Sequence, residues 1–163
     1  MAEQKSQDQH GGGGGNYVRF MTMIGTSTAV MFGLMYLNTY RLDHVFFSET
    51  RVYMAFVMGA TMALVMMGFM LNMLSRRGLN AVIAICSLLV FALALWLVRS
   101  QATIEDVSWM KAMIPHHSIA IMTSERADIT DPRVRELADQ IIKSQRREIA
   151  EMKTLIEELE GKP

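Results

Sequence analysis

"MKAMIPHHSIAIMTSERADITDPRVRELADQIIKSQRREIAEM", residues 110–152, decides how this chain folds. Apolar residues recur through it at helical spacing, and "ITDP", residues 129–132, interrupts the pattern. Asp131 suits a helix N-cap, and Pro132 suits the first helical position, where a missing backbone N–H costs nothing. The stretch therefore reads as two helices joined by a short turn and packed antiparallel as a hairpin. Val107, Met110, Ile114, His117, Ile121 and Ser124 line one face of the first helix. The second is expected to bury Val134, Leu137, Ala138, Ile141, Ile142, Ile149, Met152, Leu155, Ile156 and Leu159, and to end at Gly161. Ahead of the first helix, "TIED" (Thr103 to Asp106) has the form of a capping box.

Moving outward, the composition is segregated. Of 163 residues, 51% are hydrophobic and 20% charged, with zero formal net charge, so the charges crowd into part of the chain, as in a membrane protein with a soluble end. Three uncharged stretches precede the hairpin: Phe20 to Tyr40, Val52 to Leu74 and Asn80 to Val98. As helices they reach roughly 30 Å, the thickness of a bilayer core. The expected fold class is all-α. Residues 1–16 form a flexible tail ending in a glycine run, 17–99 a three-helix transmembrane region, and 100–163 a soluble helical hairpin. His10 in the tail reads as solvated. Because a hairpin of this size encloses little core, two copies are expected to complete a four-helix bundle, making the protein a homo-oligomer in a lipid bilayer.

Basic residues nearly balance across the membrane: Lys5, Arg19, Arg76 and Arg77 on one side, Arg41, Arg51, Arg99 and Lys111 on the other. The compact, acid-free "SRRG" loop (Ser75 to Gly78) favours a cytoplasmic amino terminus and an exported carboxyl terminus, in a bacterial inner membrane with the hairpin in the periplasm. Three crossings place Asp43 and His44 on the hairpin's side.

The chemistry-bearing residues cluster around the first hairpin helix. Met110, Met113 and His117 project within a sector of about 60°, with His116 about 100° from His117. Pro115 is expected to kink or restart the helix, leaving both histidines at an N-terminus that favours neutral imidazole, the metal-binding form. Imidazole with thioether is a soft to borderline donor set that points to copper. The same residues also read as a core histidine bonded to Gln145, a solvated His116 and gap-filling methionines. Catalysis is not expected. A di-iron site needs Glu-x-x-His, but Met113 and Ile114 stand three before the histidines; His-Glu-x-x-His and a phosphate loop are also missing. Balanced charge along the helices speaks against nucleic-acid binding. In the second apolar stretch Met54, Met58, Met62, Met66 and Met70 form a slanted ridge that reads as packing, or as a thioether track for Cu(I). Cys86 reads as a small buried hydrophobe.

"MIPHHSIAIMTSERADITDPRVRELADQIIKSQRREIAEMKTLI" (Met113 to Ile156) resembles the domain-of-unknown-function 305 (DUF305) family, helical ferritin-like domains with a Met-x-x-His-His signature and a later Gln-x-x-Glu-Ile-x-x-Met signature. Here these are Met113, His116, His117, then Gln145, Glu148, Ile149, Met152. "YLNTYRLDHVFFSETRVYMAFVMGATMALVMM" (Tyr36 to Met67) looks like the front half of a three-span membrane version. Some members are exported copper-binding proteins associated with metal tolerance, and that resemblance implies His116, His117, Met113, Met110, Met122 and Met152 as copper ligands. Many members carry the two-helix unit twice; here it occurs once, which strengthens the expectation of a dimer. The resulting expectation is a membrane-anchored copper-binding protein, the alternative a module that only self-associates or docks on a metal transporter.

Overall fold

The computed structural model describes residues 12–161, which are all-α. Helices α1 (Gly12–Leu34), α2 (Glu49–Met70), α3 (Arg77–Ser100), α4 (Asp106–Arg126) and α5 (Pro132–Leu159) follow in order, with a 3-10 turn at Leu42–His44. The chain divides into two compact units. Among the described residues, one comprises 12–32 together with Val52–Ser100; the other comprises Gly33–Arg51 and 101–161.

In the first unit, Tyr17 and Phe20 of α1 pack with Ala63 and Met67 of α2 and with Leu74, bordered by Ile83 and Ala84 of α3. Polar side chains secure the α2–α3 connection. The Tyr17 hydroxyl accepts from the Arg76 N–H (3.0 Å) and donates to Asn80 Oδ1 (2.6 Å), while Asn16 donates to the Met73 carbonyl and Asn80 to that of Leu74. The helix entered by these bonds begins at Gly12, inside the glycine run that composition assigns to a flexible tail through residue 16. The remainder of that tail, residues 1–11 with His10, lies outside the described residues.

Among the described residues two helices, not three, are long and apolar enough to cross a membrane: Glu49–Met70 and Arg77–Ser100. The expected first span is corrected. Helix α1 starts early, taking in glycines, Asn16 and Arg19, and stops at Leu34, so polar and small residues dilute it. The stretch from Met35 to Tyr40 forms turns instead and belongs to the other unit. There the Arg51 guanidinium stacks 4.2 Å from the Tyr36 ring centroid, and the Tyr40 N–H donates to Ser118 Oγ (3.2 Å). Along α2 the buried strip is Ala55, Gly59, Ala60, Ala63 and Met67; the methionine ridge runs beside it, with Met54 exposed. Cys86 is exposed, contrary to expectation, and lines an apolar cavity together with Ile24 of α1 and Ala55 and Gly59 of α2.

In the second unit α4 and α5 are antiparallel. Lys111 pairs with Glu160 at the open end (2.5 Å), Glu125 with Arg146 further along, and Arg135 reaches the Ser124 carbonyl (3.0 Å) beside the turn. Asp131 caps α5 by accepting from the Arg133 N–H (2.9 Å), and Gly161 ends it in the left-handed region at φ 65°. Two local expectations fail. The cap of α4 is Glu105, with no side-chain capping bond, so the Thr103–Asp106 box does not open the helix. Pro115 lies inside one continuous helix, its ring fully buried, and the histidines are not at an N-terminus.

The core of this unit is Met110, Ile114, Ile121, Ile149, Met152 and Ile156, edged by Val107, Met113 and Ile142 and also by Tyr40 and Phe46 from the 33–51 segment. Of the side chains expected to be buried on α5, Val134, Leu137, Ile141, Leu155 and Leu159 are exposed, at 36% to 60% of their surface. A single facing helix covers one strip, and these five lie about 35–95° around α5 from its centre, all on one side of it.

A Cβ at Gly59 would stand 2.6 Å from Thr28 Oγ1, so only glycine lets α1 and α2 approach this closely. Gly59→Ala should destabilise the first unit by about 1–3 kcal/mol through overpacking, and adding Thr28→Ala should restore most of the loss. Thermal unfolding of the full chain in detergent checks this; an unchanged midpoint for Gly59→Ala would refute the close approach.

Candidate functional site

His116 and His117 follow Pro115 in the middle of α4, their ring centroids 6.2 Å apart and their planes inclined at 61°. His116 is exposed. His117 is turned toward α5, with 18% of its side chain exposed and Nδ1 3.3 Å from Glu148 Oε2. That distance is within ion-pair range, but the atoms are not aligned for a hydrogen bond. His117 Nδ1 is buried and lacks a hydrogen-bond partner among the described residues, and Gln145 Oε1 is in the same condition. The bond between His117 and Gln145 considered from the sequence is not formed. Glu148 is held in place by Ser144, whose hydroxyl donates to Oε1 (2.5 Å).

Burial lowers the His117 pKa from its ordinary 6.5, outweighing the Glu148 carboxylate, which raises it; the His116 ring adds to the lowering. The imidazole is therefore neutral at physiological pH, through desolvation and not through a helix N-terminus. The pair with Glu148 is a neutral ring beside a carboxylate.

The other sequence-derived candidates divide. Met110 and Met152 are buried together in the core, and Met113 borders it. On the continuous α4, Met122 projects about 140° from His117, so it does not join them. Among the described residues no three His, Cys, Asp or Glu side chains group as a metal site. Within one copy the arrangement offers imidazole, carboxylate and neighbouring thioethers, an incomplete set. Sequence reasoning omitted Glu148 from the donor set; its signal was the position three after Gln145, one turn along the same flank of α5.

A second polar centre went unread except for its side of the membrane. His44 is 7% exposed, and its Nδ1 meets Ser118 Oγ at 2.9 Å; Ser118 is 0% exposed and also receives the Tyr40 N–H. Next to it Asp43 accepts from Arg41 (3.0 Å) and Lys153 (2.8 Å), which together hold its pKa far below the usual carboxylate range, the Lys153 bond contributing most. These contacts fasten the 33–51 segment to the hairpin.

The family described as "Domain of unknown function (DUF305)" matches residues 97–163. An uncharacterized protein of Acanthamoeba polyphaga mimivirus is 36% identical over 104 residues, covering 60% of this chain and 68% of that protein. No solved structure matches.

Ser118→Ala would leave both the Tyr40 N–H and His44 Nδ1 without their buried partner and should cost about 1–3 kcal/mol, measurable by chemical unfolding of the full chain. His44 has its pKa lowered from 6.5, chiefly by burial and then by Lys153, so its contribution to stability is complete above the unfolded value and is lost as pH falls through 6.5 toward the folded one. The unfolding midpoint should drop between about pH 7.5 and 5.5, and His44→Gln should flatten that slope. A variant with the wild-type slope would show that His44 does not contribute.

Proposed function

The chain belongs to the DUF305 family, and from that premise we propose that it is a membrane-anchored, non-enzymatic protein whose hairpin binds copper in metal homeostasis or tolerance. The observation carrying this reading is His117: a half-buried, neutral imidazole with a buried, unsatisfied Nδ1 facing a carboxylate, beside a core containing two methionine sulfurs. A buried nitrogen without a hydrogen bond costs free energy in the empty protein, and a metal ion would recover it.

His117 and Glu148 are the inner donors, with His116 and Met113 on the adjacent α4 surface. Met110 and Met152 lie beneath as thioether donors for Cu(I), while Cu(II) would rely on the imidazoles and Glu148. Copper bound here is cargo to be held, and no group nearby is arranged as an acid or nucleophile. Met122 fits this set poorly.

The donor set of one copy is short, and the exposed Val134, Leu137, Ile141, Leu155 and Leu159 lie on the same side of α5 as Glu148. We read this apolar flank as the seat of a second copy. A two-fold pairing there would complete a four-helix bundle and bring two His117–Glu148 pairs together. Helices α2 and α3 supply the anchor, with the Arg76–Arg77 loop cytoplasmic and the hairpin on the exported face of a bacterial inner membrane.

The exposed flank equally favours a second reading, a module that self-associates or docks on a metal transporter without binding metal itself. Competition of the detergent-solubilised full chain with a Cu(I) chelator, and a parallel Cu(II) titration, separate the two. The copper reading expects binding that weakens at least ~30-fold in His116→Ala/His117→Ala, the loss of about 2 kcal/mol of donor interaction. It also expects Ile141→Lys/Leu155→Lys to give monomers with weakened binding. Oligomers indifferent to copper and to the histidine pair would sustain the second reading alone.

A further inference from the structure

On the other side of the hairpin from His117, a cavity of about 860 Å³ opens between the 33–51 segment and the α4–α5 pair. Arg41, Arg146 and Lys153 line it with Asp43, three cations to one carboxylate, and Ile121 and Ile149 form an apolar wall. None of these residues belongs to the metal-binding set proposed above.

The buried His44 ring stands in its wall. Ser118 Oγ accepts the Tyr40 N–H and lies 2.9 Å from His44 Nδ1; in the tautomer that takes the Ser118 proton at Nδ1, the neutral ring carries hydrogen on Nε2 and presents a donor. That nitrogen stands 3.8 Å from Asp43 Oδ2, beyond hydrogen-bond distance. Asp43 is engaged by Arg41 and Lys153, and Arg146 is paired with Glu125 from outside the cavity. Asp43 thus occupies, with one planar carboxylate, a position toward which the Arg41 guanidinium, the Lys153 ammonium and the His44 Nε2 edge are collected, while Arg146 lines the cavity further along α5.

We propose that this cavity binds an organic phosphate, with Arg41, Arg146, Lys153 and His44 Nε2 as donors and the carbon portion against Ile121 and Ile149. Several acceptor oxygens arranged in three dimensions satisfy donors arriving from different elements better than a second carboxylate can, and guanidinium forks match phosphate geometry. The volume exceeds what a bare ion needs, and the mixed lining suits a ligand with a polar head and a carbon stem. A glycerol phosphate unit has this chemistry, whether free or as the headgroup of an anionic lipid. The phosphate displaces Asp43 from Lys153, which makes Asp43 a competitor and not a ligand.

The test uses the purified full chain in neutral detergent, with inorganic phosphate, glycerol 1-phosphate and nanodiscs containing phosphatidylglycerol or only phosphatidylcholine. Binding of glycerol 1-phosphate assigns a soluble source; binding of phosphatidylglycerol alone, over phosphatidylcholine, assigns the membrane. In either case Arg146→Gln/Lys153→Gln, both on the outer side of α5, should weaken binding at least ~tenfold with unchanged circular dichroism. Asp43→Asn should tighten it severalfold, an effect that a purely structural ion pair would not produce. Failure of all the phosphate probes to bind, affinity unaltered in the double variant, or Asp43→Asn binding more weakly than wild type overturns the proposal.

Discussion

The second unit depends on a buried serine. Ser118 sits on α4 with no exposed surface, and its hydroxyl serves the Tyr40 backbone and the His44 ring together. A two-helix hairpin has one internal surface and two open flanks, too little to enclose a core. By satisfying two polar groups of the loop in the interior, Ser118 makes it possible for Tyr40 and Phe46 to cover one edge of the α4–α5 core. Asp43 adds an ion pair to Lys153 on α5, so the loop is fastened to both helices.

This coverage makes the two flanks unlike. Ser118 and His117 are consecutive, and about 100° of rotation sends them to opposite sides of the buried strip. The Ser118 side is closed by the loop and carries paired charges around a cavity. The His117 side remains open, with Glu148 and the exposed leucines, valine and isoleucine of α5.

Legibility differed between levels of structure. The helix–turn–helix, the Asp131 cap, the Gly161 stop and the two most apolar helices could be read directly, because each rests on local spacing or on one residue's backbone preference. The Thr103 box and the restart after Pro115 were read by equally local rules and fail, since burial of the Pro115 ring and the packing of α4 outweigh them. Five α5 side chains were assigned to a core because periodicity marks apolar positions without saying how many neighbours are available to cover them. The first span failed for a related reason: Tyr36 to Tyr40 carry no charge, yet are engaged by Arg51 and Ser118.

The order of residues by itself determined that this is an all-helical chain with an apolar front and, at its end, a hairpin whose first helix carries a His-Met signature, because helical periodicity, hydropathy and capping act over a few residues. Only the tertiary structure decided that His117 faces Glu148 without a hydrogen bond, that Ser118 joins the hairpin to a loop more than seventy residues earlier (78 positions to Tyr40 and 74 to His44), and that one flank stays open. These depend on which surfaces meet. Contacts between segments distant in sequence leave no periodic trace, and a serine or glutamate at a helix surface looks the same in the letters whether water or another helix lies beside it.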